Sequence, residues 1–194
     1  AIYGYNTTGG INLNNATTGL GGFGGASGAV DLYSGSLGLL FSGNFIGVPA
    51  GSAPRYVDLT VPFGQDGTSG YTVNVKGNTA INVNQVAGAA IGLGNVMQIG
   101  ALNMSNNTLQ LTGGNFYRLG VAGITTIQGP QATFQTSNDS IAFQLDGKVT
   151  GSGALNKTGD GTLRTLILSN STNDFAGGLN IQAGDVQNPN ASAN

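Results

Sequence analysis

Short pairs of apolar residues, each split by a single residue, recur at intervals of about ten residues along most of the chain. Ile11 and Leu13, Val30 and Leu32, and Leu37 and Leu39 open the series. Val57-Leu59-Val61, Tyr71-Val73-Val75, Ile81-Val83, Ile91-Leu93, Leu102-Met104, Leu109-Leu111, Leu119-Val121, Ala132-Phe134, Ile141-Phe143-Leu145 and Leu179-Ile181 continue it. A period of two is that of a strand with one buried face. Turn chemistry follows many of the pairs: Lys76-Gly77-Asn78, Ser105-Asn106-Asn107, Thr112-Gly113-Gly114-Asn115 and Asp146-Gly147 supply Gly and Asn where the chain must reverse. The solvent face of a helix needs Glu, Lys, Gln and Arg, yet this chain has no Glu and only 7% charged residues. The chain therefore reads as all-β, built from many short strands.

Even strand spacing suits a sandwich, a barrel or a β-solenoid. Composition separates them: 22 residues are Asn, which can stack in ladders along coiled rungs, and 7% aromatic is little for a sandwich core. Stacked rungs of a parallel β-solenoid are the expectation. With 194 residues the chain is long enough to bury about 70% of its unfolded surface in one domain. Residues 1–54 carry one charge, Asp31, and the run from Gly19 to Gly28 is too glycine-rich for a long strand. That region is expected to be irregular, with a loop or corner at the run.

Near the C-terminus, residues 149–163 read Val-Thr-Gly-Ser-Gly-Ala-Leu-Asn-Lys-Thr-Gly-Asp-Gly-Thr-Leu, followed by Leu166-Ile167-Leu168 and by Phe175-Ala176-Gly177-Gly178-Leu179 through Ala183-Gly184-Asp185-Val186. This segment resembles the passenger-associated transport repeat, also called the autotransporter-associated β-strand repeat. Lys157, Gly159, Gly161, Thr162, Leu163, Gly177, Gly178, Ala183 and Gly184 stand in the family's positions. Arg164-Thr165 is a two-residue insertion relative to the pattern, Phe175 stands where Tyr is usual, and Leu179 replaces a frequent Thr. The resemblance implies a right-handed parallel β-helix, outside a bacterial cell, in proteins that form stalks, adhesins or matrix fibres. Lys157, between turn residues, is expected to project from a corner. Leu155, Leu163, Leu168, Leu179 and Ile181 are expected to fill successive rungs.

With no His and no Cys, Ser-His-Asp and Cys-His catalysis are closed, and zinc loses its main ligands. A net charge of −2 offers no basic stripe for nucleic acid. No apolar run reaches the roughly 18 residues of a membrane-spanning helix, so membrane insertion is not expected. The string Gly19-Leu20-Gly21-Gly22-Phe23-Gly24 matches a dinucleotide fingerprint in letters, without the strand before it or the helix after it. Gly159-Asp160-Gly161 reads as a turn rather than a calcium site. Asp139 and Asp146 flank a strand and would stand about 20 Å apart, while Asp58 with Arg55 nearby belongs to a solvent face. Tyr3, Tyr5 and Phe23 suit a core better than a carbohydrate-stacking surface. No catalytic, cofactor-binding or metal-binding residue is therefore nominated.

The expected organisation is a single domain over residues 1–186, irregular over 1–54 and repeat-like over 149–186, with a polar tail or linker over 187–194. The start at Ala1 without Met suits export processing or a longer precursor. The expected function is a non-enzymatic, extracellular building block of a surface fibre, filament, adhesive stalk or matrix. Its partners would be copies of itself or a parent protein, with surface glycans as a further class. The alternatives are a rigid passenger spacer or adhesin fragment, and a polysaccharide-cleaving β-helix enzyme, which would need two Asp within about 5–10 Å on one face.

Overall fold

A computed structural model describes residues 2–3, 11–16, 29–42, 55–56, 60–63, 70–85, 92–137, 141–159 and 165–189. The strands fall into successive circuits of the chain. The first contributes β1 (Ile2–Tyr3) and β2 (Ile11–Ala16), and the second β3 (Ala29–Leu32), β4 (Ser36–Ser42), β5 (Arg55–Tyr56) and β6 (Thr60–Pro62). The third holds β7 (Thr72–Val75), β8 (Thr79–Gln85), β9 (Gly92–Leu93) and β10 (Val96–Ile99). Then come β11 (Leu102–Ser105), β12 (Thr108–Gly113) and β13 (Tyr117–Val121), followed by β14 (Thr125–Gln128), β15 (Gln131–Thr136) and β16 (Ile141–Leu145). The last two circuits carry β17 (Val149–Gly151), β18 (Ala154–Gly159) and β19 (Thr165–Leu168), then β20 (Leu179–Ile181) and β21 (Asp185–Gln187).

Among the described residues consecutive strands never pair with each other; each pairs in parallel with its counterpart one circuit away. Three parallel sheets result: β1-β3-β7-β11-β14-β17, β2-β4-β8-β12-β15-β18-β20, and β6-β10-β13-β16-β19-β21, with β5 and β9 forming a small fourth. We call them the first, second and third sheets. Among the described residues there is no helix, and none long and apolar enough to cross a membrane. The protein is all-β, and its three parallel sheets, visited in turn, are the arrangement a β-solenoid requires.

In-register pairing sends like residues inward in columns. Val73, Leu102 and Val149 align in the first sheet, and Leu109 with Phe134 in the second. Met97, Leu119, Phe143 and Leu166 align in the third. All of these are fully buried, each side chain contributing about 1.5–3 kcal/mol through its burial. Phe134 and Phe143 meet edge to face across the interior at 5.1 Å, and Phe63 and Tyr71 do so at 5.2 Å.

The corner between the third and first sheets is a stack of glycines, Gly70, Gly100, Gly123 and Gly147. A side chain there would run into the backbone of the neighbouring circuit: a methyl on Gly147 meets the carbonyl oxygen of Gly123, and one on Gly100 that of Gly70. Circuits tighten towards the C-terminus. Asp31 bonds to Asn74, 43 residues on, whereas Asn156 bonds to Asn180, 24 residues on. The longer separation accommodates the chain between β4 and β7.

The structure bears on several of these expectations. Within residues 1–54 the described strands β3 and β4 pair with β7 and β8 in the same sheets as the rest of the chain, while the Gly19 to Gly28 run lies outside the described residues. Strands also form where no alternating pair announces them, notably β14, β17 and β21. Lys157 does not project from a corner. β18 alternates along its length, so Lys157 faces the interior with Leu155, and both are 0% exposed. Leu155 and Leu168 fill rungs as expected, but Leu179 and Ile181 are exposed, because no later circuit lies over the last one among the described residues.

Candidate functional site

Besides the apolar core itself, three features carry chemistry: amide ladders on the outer faces, a lysine buried within the core, and the last circuit. The ladders follow directly from register. In the first sheet Asn74 donates to Asp31 at 2.6 Å and Asn103 donates to Asn74 at 2.8 Å. In the second sheet Asn156 donates to Gln131 and Asn180 donates to Asn156, both at 2.9 Å. Asn115 similarly donates to Asn84, and Asn82 to the Thr112 hydroxyl. Asn74 and Asn156 thus each use the amide donor on one neighbour and the acceptor on the other. Apart from Asp31, these ladders tie circuits together through neutral groups, which suits a chain holding few charged residues.

Lys157 lies in register between Phe134 and Ile181. Its ammonium Nζ donates to the Thr136 hydroxyl at 3.1 Å and to the Thr158 carbonyl at 2.8 Å. Burial of a cation is tolerated only where such acceptors surround it. Sequence reasoning missed this position, although the alternation Leu155-Asn156-Lys157 carried the signal for it.

The described carboxylates are spread over different sheets and partners. Asp31 accepts from Asn74 in the first sheet. Asp146, just past β16, accepts from Gln144 with both oxygens at 3.0 Å, and Gln144 in turn accepts from Arg118 at 3.1 Å. Asp174 pairs with Lys148 at 2.6 Å; that hydrogen bond is the main cause holding its carboxyl below the usual range. Among the described residues no group of three or more His, Cys, Asp or Glu could hold a metal ion. The Arg118–Gln144–Asp146 relay was not anticipated, because its members are 26 and two residues apart and meet only through the register of β13 and β16.

In the last circuit β20 pairs only with β18, and β21 only with β19. Leu179 is 40% and Ile181 52% exposed, although the residues one rung back in register, Leu155 and Lys157, are fully buried. Val186 and Phe175 remain packed against the core. This end therefore combines an unpaired backbone edge with apolar side chains, among the described residues.

The glycine fingerprint at Gly19 to Gly24, the aromatics Tyr5 and Phe23, Asp58, Asp139 and the Asp160-Gly161-Thr162-Leu163 part of the repeat lie outside the described residues, as do the side chains of Tyr3 and Arg55. No family model, curated protein or solved structure matches the chain.

Proposed function

We propose that the chain is a right-handed parallel β-helix serving as a non-enzymatic, extracellular building block of a bacterial surface fibre or matrix, joined to further copies by strand addition and end stacking. The observation that supports this reading is the open last circuit. Among the described residues the edge of β20 offers backbone donors and acceptors in the parallel register used throughout, and Leu179 and Ile181 lie where another rung would cover them. Small net charge leaves little repulsion between copies. The resemblance of residues 149–186 to the passenger repeat favours a surface setting.

A second reading has its own observation. The later circuits are nearly uniform, with ladder partners 25 and 24 residues apart, as in a repeating rod that serves as a passenger spacer. In that case the open rung would be covered by a following circuit of a longer chain.

Negative-stain electron microscopy of the purified chain across a concentration series separates the two readings. Filaments whose axial period equals the length of one rod support the building block. Isolated rods at every concentration, with a constant sedimentation coefficient, would overturn it and leave the spacer.

A further inference from the structure

An open cleft of about 360 Å³ runs along the outer face of the second sheet, and its walls come from four successive circuits. Gly35 forms its rim in one circuit, Asn78 and Ala80 line it in the next, and Thr108, Gln110 and Gln135 complete it. Its size falls within the range of about 300–1,000 Å³ typical of ligand clefts. Ala80, Gln110 and Gln135 share one outward column of the sheet, by the pairing of β8 with β12 and of β12 with β15.

The two glutamines differ from the other stacked amides. Gln131, Asn156 and Asn180 bond to one another along their ladder. Gln110 and Gln135, although adjacent in register, do not, and their side-chain amides have no hydrogen-bond partner among the described residues. Each therefore keeps a donor and an acceptor directed at the cleft side of the sheet. The Asn78 side-chain oxygen Oδ1 already accepts from the Thr108 backbone N–H at 2.8 Å, which fixes the cleft wall. The Thr79 hydroxyl, bonded to the Gly35 carbonyl at 3.0 Å, fixes its rim. Tyr33 is 45% exposed on the same turn, and its backbone packs against Gly77.

We propose that this cleft binds a neutral glycan chain. The lining bears no charge, which disfavours phosphates and acidic polymers. The backbone groups of the sheet face are used within the ladder, so an extended peptide has no edge to pair with there. What the cleft presents is amide groups repeating at the rung spacing of about 4.8 Å, each able to donate to and accept from a hydroxyl, and the exposed Tyr33 stands two residues before the rim residue Gly35. A chain of sugar rings supplies hydroxyls of both kinds at a regular repeat, and a chain running past the Gly35 rim would bring an apolar ring face towards Tyr33. The proposal concerns a lateral face, so it stands apart from the assembly reading.

Isothermal titration of the full chain with cellohexaose, xylohexaose and chitohexaose, each to about 10 mM, tests it, since a millimolar dissociation constant is about −4 kcal/mol and measurable. The expected result is binding of at least one of these, weakened about tenfold in Gln110→Ala/Gln135→Ala and about threefold in Tyr33→Ala, with unchanged thermal unfolding. Side-chain amide NMR signals of the unaltered chain, in solution or in the solid state, provide a readout that does not depend on a variant folding. Those of Gln110 and Gln135 are expected to shift most. Absence of binding to all three, shifts centred elsewhere, or unchanged affinity in the folded double variant would overturn the proposal. So would binding confined to polygalacturonate, which would move recognition to the exposed Lys76 at the neighbouring turn.

Discussion

Lys157 reaches through the interior of the protein to the hydroxyl of Thr136 on the previous circuit, at 3.1 Å. Its stem lies in register with the Phe134 ring, and its ammonium is also held by the Thr158 carbonyl. The side chain thus fills core volume and satisfies its charge at once. Lys157→Ala removes both contributions and is expected to destabilise the fold by about 2–4 kcal/mol. Lys157→Met keeps the stem and should recover the packing part. Chemical denaturation of the three proteins checks the order; equal stability of the alanine and methionine variants would show that packing is not the larger share.

Thr125 sits between Leu102 and Val149 in an inward column of the first sheet, and it is fully buried. Its hydroxyl has no partner among the described residues. Valine has the same shape without the oxygen, so Thr125→Val is expected to raise stability by about 1 kcal/mol. A fall in the denaturation midpoint would mean that a bound water satisfies the hydroxyl.

Gly147 closes the stack of corner glycines, where a methyl group would collide with the Gly123 carbonyl. Gly147→Ala forces the corner apart and should cost about 3 kcal/mol. The control is Gly114→Ala, where the nearest atom to an added carbon is the side-chain oxygen of Asn84 at 3.9 Å. Comparable losses at both positions would refute the stacking argument.

Tyr117 is fully buried, and desolvation pushes its hydroxyl above the usual value of 10.0 despite an opposing hydrogen bond with Asn95. The folded state thus holds this proton more tightly than the unfolded chain does. The associated stability is complete below pH 10.0 and is lost as pH rises through the elevated value. Thermal melts between neutral and strongly alkaline pH should show a steeper decline for the unaltered protein than for Tyr117→Phe, and parallel curves would contradict the assignment.

Ile181 offers a test of end-to-end association that spares the core. Since Ile181 is 52% exposed, Ile181→Asp should change monomer stability by no more than about 0.5 kcal/mol. In the proposed fibre the same substitution buries an unpaired charge at every junction and should abolish filaments. Filaments of normal length from the folded variant would place the junction elsewhere.

Local chemistry made the strands legible. The alternation in Val73-Val75, Leu109-Leu111 and Phe143-Leu145 marks one buried face within a few residues, and the near-absence of helix-forming surface residues excludes the competing structure. The frequency of Asn likewise announced amide ladders, since stacking needs only like residues in register. Strands such as β14 and β21 were not visible, because pairing with neighbours on other circuits, rather than their own pattern, holds them extended.

Register was beyond the sequence. Nothing local says that Asp31 meets Asn74 across 43 residues while Asn156 meets Asn180 across 24, for the length of the intervening chain can vary without altering either strand. Register decides which amides bond to each other and which, like those of Gln110 and Gln135, stay open to the cleft. It also sets Lys157 against Phe134 inside the protein and leaves Ile181 half exposed on the last described circuit. The sequence by itself determined that this chain makes short strands with apolar faces. Only the stacking of circuits decided which side chains meet, because those contacts join residues that the chain brings together from a full turn away.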